Sequence, residues 1–343
     1  MNTNIGKSLP KLNGFAKVAL ALGVILSLAL AQLASASGQA AQTSTSRPSG
    51  VLTFSNQTNF FDYNITNGEL TDYGKGKNAY RAKNGYALVG DSDHNLILVS
   101  PNGKSRGAVV TAKNFSVTMP GFILSPDGKI AVYDRMSDDP RFKHVLVVHN
   151  VHTGSETQQG FPDFDWPVPQ DWTFEGSLLL SPFSEQKAVS DKGESVFLNF
   201  AIIDKSFVYG NIHGVAESID QPGTKPVGQI DDPRMDPSPS GKRIAFSWDG
   251  HVWIANTDGS GAKQITKSEG IQVGEDEPAW SPDGRWLAIH HFDGLSSDIY
   301  LVPVDGVTHS IGDKTVKRLV DKNGLSSDVK GSGLRCAGRI TWR

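Results

Sequence analysis

A turn built on Ser-Pro-Asp-Gly recurs along this chain at a spacing that few folds can use. SPDG at Ser125 to Gly128 runs into KIAVY, SPDG at Ser281 to Gly284 runs into RWLAIH, and SPSG at Ser238 to Gly241 runs into KRIAF. Weaker copies read AKNGYALVG from Ala82 and TFEGSLLLS from Thr173. The intervals from 82 to 125 and from 238 to 281 are both 43 residues. Each unit continues through a polar turn, a second alternating strand and another glycine turn, as in NLILVSPNG (Asn95 to Gly103), HVWIANTDG (His251 to Gly259) and DIYLVPVDG (Asp298 to Gly306). A weaker strand follows, such as AKQIT (Ala262 to Thr266) or VKRLV (Val316 to Val320), and a short one precedes the turn, as in EPAW (Glu277 to Trp280). Four short antiparallel strands repeated at this period make the blade of a β-propeller. No stretch outside the N-terminal leader carries the 3.6-residue periodicity that a helical solenoid would need.

The turn has a sufficient structural explanation. Proline presets φ for the second turn position, aspartate can bond its own turn backbone, and glycine takes the left-handed position. Asn84, Glu175 and Ser240 stand where Asp127 and Asp283 stand in the full copies and share only a short polar character.

Both ends of the repeat region carry partial units. RPSGVLTFSNQTNFFDYNITNG (Arg47 to Gly68) begins at a PSG turn with no strand before it, while GRITWR (Gly338 to Arg343) supplies a strand and no turn after it. Pairing of the strand at Arg339 to Trp342 with the strand after Gly50 would complete one blade from both ends and remove an exposed sheet edge. The expected fold is therefore all-β, a six-bladed propeller of four-stranded antiparallel blades spanning residues 47–343, with turns counted at 47, 82, 125, 173, 238 and 281. Five or seven blades remain compatible, because Gly160 to Ile230 is irregular and holds either one blade with a long insertion, the preferred reading, or two poor ones.

Residues 1–36 read as a secretory signal peptide: Lys7, Lys11 and Lys17 without acids, an apolar run from Val18 to about Leu33, and small residues at Ala34 to Ala36. The uncharged run is shorter than the roughly 20 residues of a membrane span. Residues 37–46 are a Ser/Thr/Gln-rich linker, so a periplasmic or secreted domain is expected. The balance of 33 basic and 36 acidic residues argues against nucleic acid or a strongly anionic membrane as partner. A single cysteine, Cys336, excludes an internal disulfide and a Cys-based zinc site, and burial as a small apolar residue is expected for it.

The segments LSPDGKIAVY, SPSGKRIAF with HVWIANTDGSGAKQIT, and DEPAWSPDGRWLAIH with DIYLVPVDG resemble the TolB-like propeller repeat, also called the WD40-like or PD40 repeat. The resemblance covers nearly all of the chain after the leader. It is strongest in the last two units and weak in the first, second and fourth. It implies similarity to the six-bladed part of the periplasmic Tol-Pal protein and to propellers that precede some prolyl oligopeptidase domains. The α/β domain that precedes the TolB propeller cannot fit in residues 37–46, and no G-x-S-x-G elbow of a serine hydrolase occurs. The resemblance therefore speaks for fold more than for function.

Loops entering the innermost strands converge at one channel mouth in a propeller. Here they are Phe161 to Trp172, Asp231 to Pro237, Gly270 to Pro278 and Leu325 to Gly338. Asp163, Asp165, Asp171, Asp231, Asp232, Asp236, Glu275, Asp276 and Glu277 would crowd this rim, with Trp166, Trp172 and Trp280 as flat apolar platforms. Such a funnel suits a basic peptide or protein segment, a sugar stacked on tryptophan, or a divalent cation such as calcium. His149, His152, His213, His290 and His291 could hold a metal only if three converged, and the adjacent His290 and His291 face opposite sides of their strand. The expected function is a non-catalytic binding or scaffold protein for a protein or peptide of the cell envelope, or a glycan, with no cofactor. A polysaccharide lyase or glycosidase using paired channel carboxylates is the alternative.

Overall fold

The computed structural model describes residues 47–343 except 57, 112–120, 161–165, 173–177, 184–188, 191–192, 195–197, 204–206, 213–233, 249, 258–260, 269–273, 294–296, 321–332, 335 and 337. The leader and linker lie outside the described residues. In chain order, β1 (Val51–Ser55), β2 (Asn59–Asn64) and β3 (Glu69–Lys75) precede β4 (Lys77–Arg81), β5 (Ala87–Gly90), β6 (Asn95–Val99) and β7 (Arg106–Thr111). Next come β8 (Phe122–Leu124), β9 (Ile130–Met136), β10 (His144–Asn150) and β11 (Glu156–Gly160). They are followed by β12 (Trp166–Trp172), β13 (Leu178–Phe183), β14 (Val189–Ser190), β15 (Gly193–Glu194), β16 (Leu198–Ile203) and β17 (Phe207–Ile212). The last units hold β18 (Met235–Pro237), β19 (Arg243–Trp248), β20 (His251–Asn256) and β21 (Lys263–Gln264), then β22 (Gly274–Trp280), β23 (Trp286–Phe292), β24 (Ser297–Pro303) and β25 (Lys317–Arg318), and finally β26 (Thr341–Trp342).

These strands form four-stranded antiparallel sheets, the blades of a β-propeller. The orders β4-β5-β6-β7, β8-β9-β10-β11, β18-β19-β20-β21 and β22-β23-β24-β25 are simple meanders, and β26-β1-β2-β3 is assembled from both ends of the repeat region. The expectation of six blades is corrected here: five sheets form the blades that follow the repeat. The fourth unit is a four-stranded sheet, β12-β13-β16-β17, interrupted by the separate β14-β15 hairpin. It differs from the others in the longer chain between its middle strands, which holds that hairpin.

The Ser-Pro-Asp-Gly turns repeat one hydrogen-bonding scheme in which serine is the hub. Ser125 Oγ accepts from the Lys129 and Ile130 amides at 3.1 and 2.9 Å and donates to Asp127 Oδ1 at 2.7 Å. Ser281 Oγ accepts from Arg285 and Trp286 at 3.2 and 2.9 Å and donates to Asp283 Oδ1 at 2.6 Å. Gly128 and Gly284 sit at φ 74° and 68°, which side chains disfavour. Adjacent turns also touch: the Asn84 amide side chain donates to the Asp127 carbonyl at 2.6 Å, and Arg243 Nη2 to the Gly284 carbonyl at 3.3 Å.

Between blades the walls are apolar. Phe122, Ile123, Leu124, Val132, Tyr133 and Leu146 form one buried cluster with Leu88 and Leu96, while Trp280, Leu287, Ile289 and Val302 form another with Ala245 and Val252. The first strands of successive sheets touch in turn, β4 with β8, β8 with β12, β12 with β18, β18 with β22 and β22 with β26, which places them innermost around a central axis. β26 pairs with β1 through Leu52–Trp342 and Thr53–Thr341, with Arg343 Nη2 on Asp62 Oδ2 at 2.6 Å. Arg81, 3% exposed, approaches Asp62 Oδ1 at 3.0 Å and stacks its guanidinium 4.4 Å from the Tyr73 ring centroid. Cys336 is buried, its thiol donating to the Gly338 carbonyl at 3.1 Å.

Candidate functional site: the polar lining of the channel

The innermost strands carry the site, and one rule locates its residues. Two positions before each repeat turn stand Tyr80, Ile123, Asp171, Asp236 and Ala279, each paired with its second strand, opposite Leu88, Val132, Leu179, Ala245 and Ala288. Three of the five are polar, and they meet. Tyr80 Oη donates to Asp171 Oδ1 at 2.5 Å across 91 residues of sequence. Asp171 in turn hydrogen-bonds Asp236. The Trp280 amide donates to Asp236 Oδ2 at 2.6 Å and its indole N–H to the Asp236 carbonyl at 3.1 Å. Arg339, 5% exposed, lies with its guanidinium 5.4 Å from the Tyr80 ring centroid. Gln170 is fully buried beside Asp171, and its Oε1 accepts from the Met235 amide at 3.1 Å, tying β12 to β18.

The electrostatics of this network follow from confinement. Burial pushes the Asp236 carboxyl well above the usual carboxylate range, helped by the Asp171 charge and the bond between them, against the pull of the Trp280 amide and Arg339. Ionising a second carboxyl beside the first is costly, which is the direction in which Asp236 is moved. Burial and Asp171 likewise raise the Tyr80 phenol, which keeps it a donor. Both aspartates retain partial solvent exposure, so solvent reaches the pair through the channel.

Two positions further from the turn lies a second layer. Arg234 Nε meets Glu277 Oε1 at 3.0 Å, joining β22 to the residue that leads into β18. Burial raises the Glu277 carboxyl, with Arg234 opposing. Glu277 and Asn78 occupy the same place in their blades and both have φ of 50°, each at a bulge of the first strand. Asparagine tolerates this conformation readily and glutamate does not. Asp276, with its side chain 50% exposed, accepts from His290 Nδ1 at 2.6 Å. Burial opposes the charged imidazole of His290, but the Asp276 bond and charge raise its pKa above the ordinary value.

The segment expected to be a loop, Gly270 to Pro278, is strand β22 from Gly274 onward. Its alternation sends Glu275 away from Asp276 and into the wall. Glu275 is fully buried, accepts from His251 Nδ1 at 2.8 Å and lies 3.7 Å from His291 Nδ1. Burial opposes its ionisation, but the His251 bond, with His291, Ser268 and Thr266 also acting on it, holds the carboxyl far below the usual range.

Other expected rim residues fall elsewhere. Trp280 is 3% exposed in the wall between the last two blades, with Arg243 stacked 4.6 Å from its ring, so it offers no open platform. Trp172 is half-buried against the core under β4 and β9. Only the backbone of Trp166 is described, on β12, and Asp163, Asp165, Asp231, Asp232 and His213 lie outside the described residues. His149 pairs with Glu156 at 2.9 Å. Among the described residues no three His, Cys, Asp or Glu side chains are grouped to hold a metal, and no helix is long and apolar enough to cross a membrane. Sequence reasoning missed Tyr80, Gln170, Arg234 and Arg339; for Tyr80 and Arg234, two and four positions before their turns, that distance was the available signal.

The fold is that of a β-propeller similar to those of TolB proteins. Among solved structures, a protein described as TolB from Agrobacterium tumefaciens is 18% identical, covering 87% of this chain and 99% of that one with a TM-score of 0.55. TolB from Acinetobacter baumannii is 10% identical over 85% of this chain and 66% of its own, with a TM-score of 0.57. At these identities the likeness is one of fold. No family model matches the chain. A tricorn protease homologue from Streptomyces coelicolor is 33% identical over 82 residues, 24% of this chain and only 7% of that relative.

Proposed function

We propose that this protein is a non-catalytic binding or scaffold protein of the periplasm or extracellular space, engaging a protein or peptide partner of the cell envelope at the channel lined by Asp171, Asp236, Asp276 and Glu277. The observation that carries this reading is the convergence of polar side chains from separate innermost strands, with Tyr80 Oη on Asp171 at 2.5 Å and the Trp280 amide on Asp236 at 2.6 Å. Held by Tyr80 and the Trp280 amide, with Asp276 and Glu277 in the next layer, these carboxyls offer a confined polar receptor for a group of the partner. The leader-like residues 1–36 support export.

The test is affinity capture from a periplasmic or envelope extract on the immobilised protein, with and without a chelator. Retention of the same protein in both conditions is expected. Retention abolished by the chelator would move recognition to a bound divalent cation, and release of shortened oligosaccharide from an envelope glycan would replace the binding role with an enzymatic one.

A further inference from the structure

Of the carboxyls assigned to the channel, Asp276 is the one paired with a histidine. Its side chain is 50% exposed and accepts from His290 Nδ1 at 2.6 Å, while the His290 side chain is 12% exposed. His290 Nε2 is buried and meets no partner among the described residues. A proton can therefore come and go at Nε2 while Nδ1–H stays on the carboxylate, so titration changes the charge of the pair without breaking its bond. Two other acids act on the same imidazole, Glu277 from β22 and Asp298 from β24. Each already has an arginine, with Arg234 on Glu277 at 3.0 Å and Arg318 on Asp298 at 2.6 Å, and Arg339 also acts on Glu277. Glu275 and His291 alternate to the opposite side of their strands, where Glu275 meets His251 of the preceding blade. Among the described residues Asp276 has no arginine or lysine, so the net charge it shows depends on His290.

We propose that His290 is a pH switch for the channel: protonated, it cancels the charge of Asp276, and neutral, it leaves that carboxylate to attract a cationic segment of the partner. This inference rests on the binding role proposed above and adds its regulation. Burial works against the imidazolium, but the Asp276 bond and charge, then Glu277 and Asp298, raise its pKa above the ordinary 6.5. The proton therefore leaves on the alkaline side of that value, and the channel grows more negative across neutral pH. Burial also raises the Asp236 and Glu277 carboxyls, whose ionisation acts in the same direction, so a His290 variant is needed to isolate its share.

The probe is an end-blocked trilysine peptide, whose side chains stay charged at about pH 6 and about pH 8.5, titrated calorimetrically into the full-length protein at low salt. The parent is expected to bind about three- to fivefold more tightly at the higher pH, the effect of one exposed charge. His290→Gln keeps a donor for Asp276 but carries no charge, and its two affinities are expected to agree within about twofold. Histidine NMR titration of the parent and of Asp276→Asn gives a second reading if the glutamine variant fails to fold. The His290 signal is expected to titrate above 6.5 in the parent and at lower pH once Asp276 is replaced. Parent binding that is independent of pH, a His290→Gln variant that keeps the full dependence, or a His290 titration unmoved by Asp276→Asn overturns the switch. Trilysine that binds at neither pH while an envelope protein is still captured also overturns it and leaves the broader binding role intact; absence of both removes the two together.

Discussion

Ser281 and Asp236 show how differently two small polar residues can be used in one fold. Ser281 Oγ serves two amides and Asp283 within a single turn. Ser281→Ala is expected to cost about 1 to 2 kcal/mol, read as a lower urea midpoint with unchanged slope. Asp236 serves the channel, where burial and Asp171 raise its pKa. The native state therefore keeps a proton that the unfolded chain has already released, and stability falls as pH rises from about 4 through the native value. Asp236→Asn mimics the protonated form. Its melting temperature at pH 8 is expected to match or exceed that of the parent, with the advantage shrinking toward pH 4. A variant that loses more stability at pH 8 than at pH 4 would contradict this sign.

At the scale of the strand, Glu275 on β22 clasps two blades, since His251 belongs to β20 of the preceding blade and His291 to β23 of its own. Its pKa is depressed, so its stabilising effect is complete above the unfolded value near 4.3 and is lost as pH falls below that. Glu275→Gln is expected to lower stability by about 1.5 to 3 kcal/mol at pH 7 and to narrow that deficit as the pH drops toward 3. Paired chemical denaturation at the two pH values measures it. Strands themselves were legible in sequence wherever glycine turns spaced them, which is why β22 to β24 and β18 to β20 follow the repeat closely. Gly160 to Ile230 was not, because a hairpin inserted between β13 and β16 leaves no spacing to read. The channel site was half legible: its acids stood out by composition, but Tyr80 and Asp171 meet across 91 residues and no local pattern announces that pairing. Trp280 misled for the opposite reason. Its place beside an acidic segment suggested a rim, whereas strand alternation turns it into the wall.

For the whole molecule, closure is the controlling feature. β26 adds only two residues to its sheet, yet it carries Arg343 onto Asp62, where Arg81, Thr53 and Tyr73 also converge. Asp62→Ala would leave Arg81 buried without its carboxylate and is expected to cost about 3 to 5 kcal/mol, as a broken buried pair does. Removal of Arg339 to Arg343 would expose the β1 edge, and the expected result is loss of a single cooperative melt together with concentration-dependent association, visible by calorimetry and light scattering. Unchanged cooperative melting would show that the ring does not depend on β26. The repeat turns and the channel are thus separate devices, one measuring out blades and the other presenting charge. The most direct check compares envelope-partner capture by the parent protein, by Asp171→Asn with Asp236→Asn, and by Asp127→Ala with Asp283→Ala, all three confirmed folded by circular dichroism. Capture should survive in the turn variant and disappear in the channel variant; capture lost from the turn variant and kept by the channel variant would place recognition on the Ser-Pro-Asp-Gly turns instead.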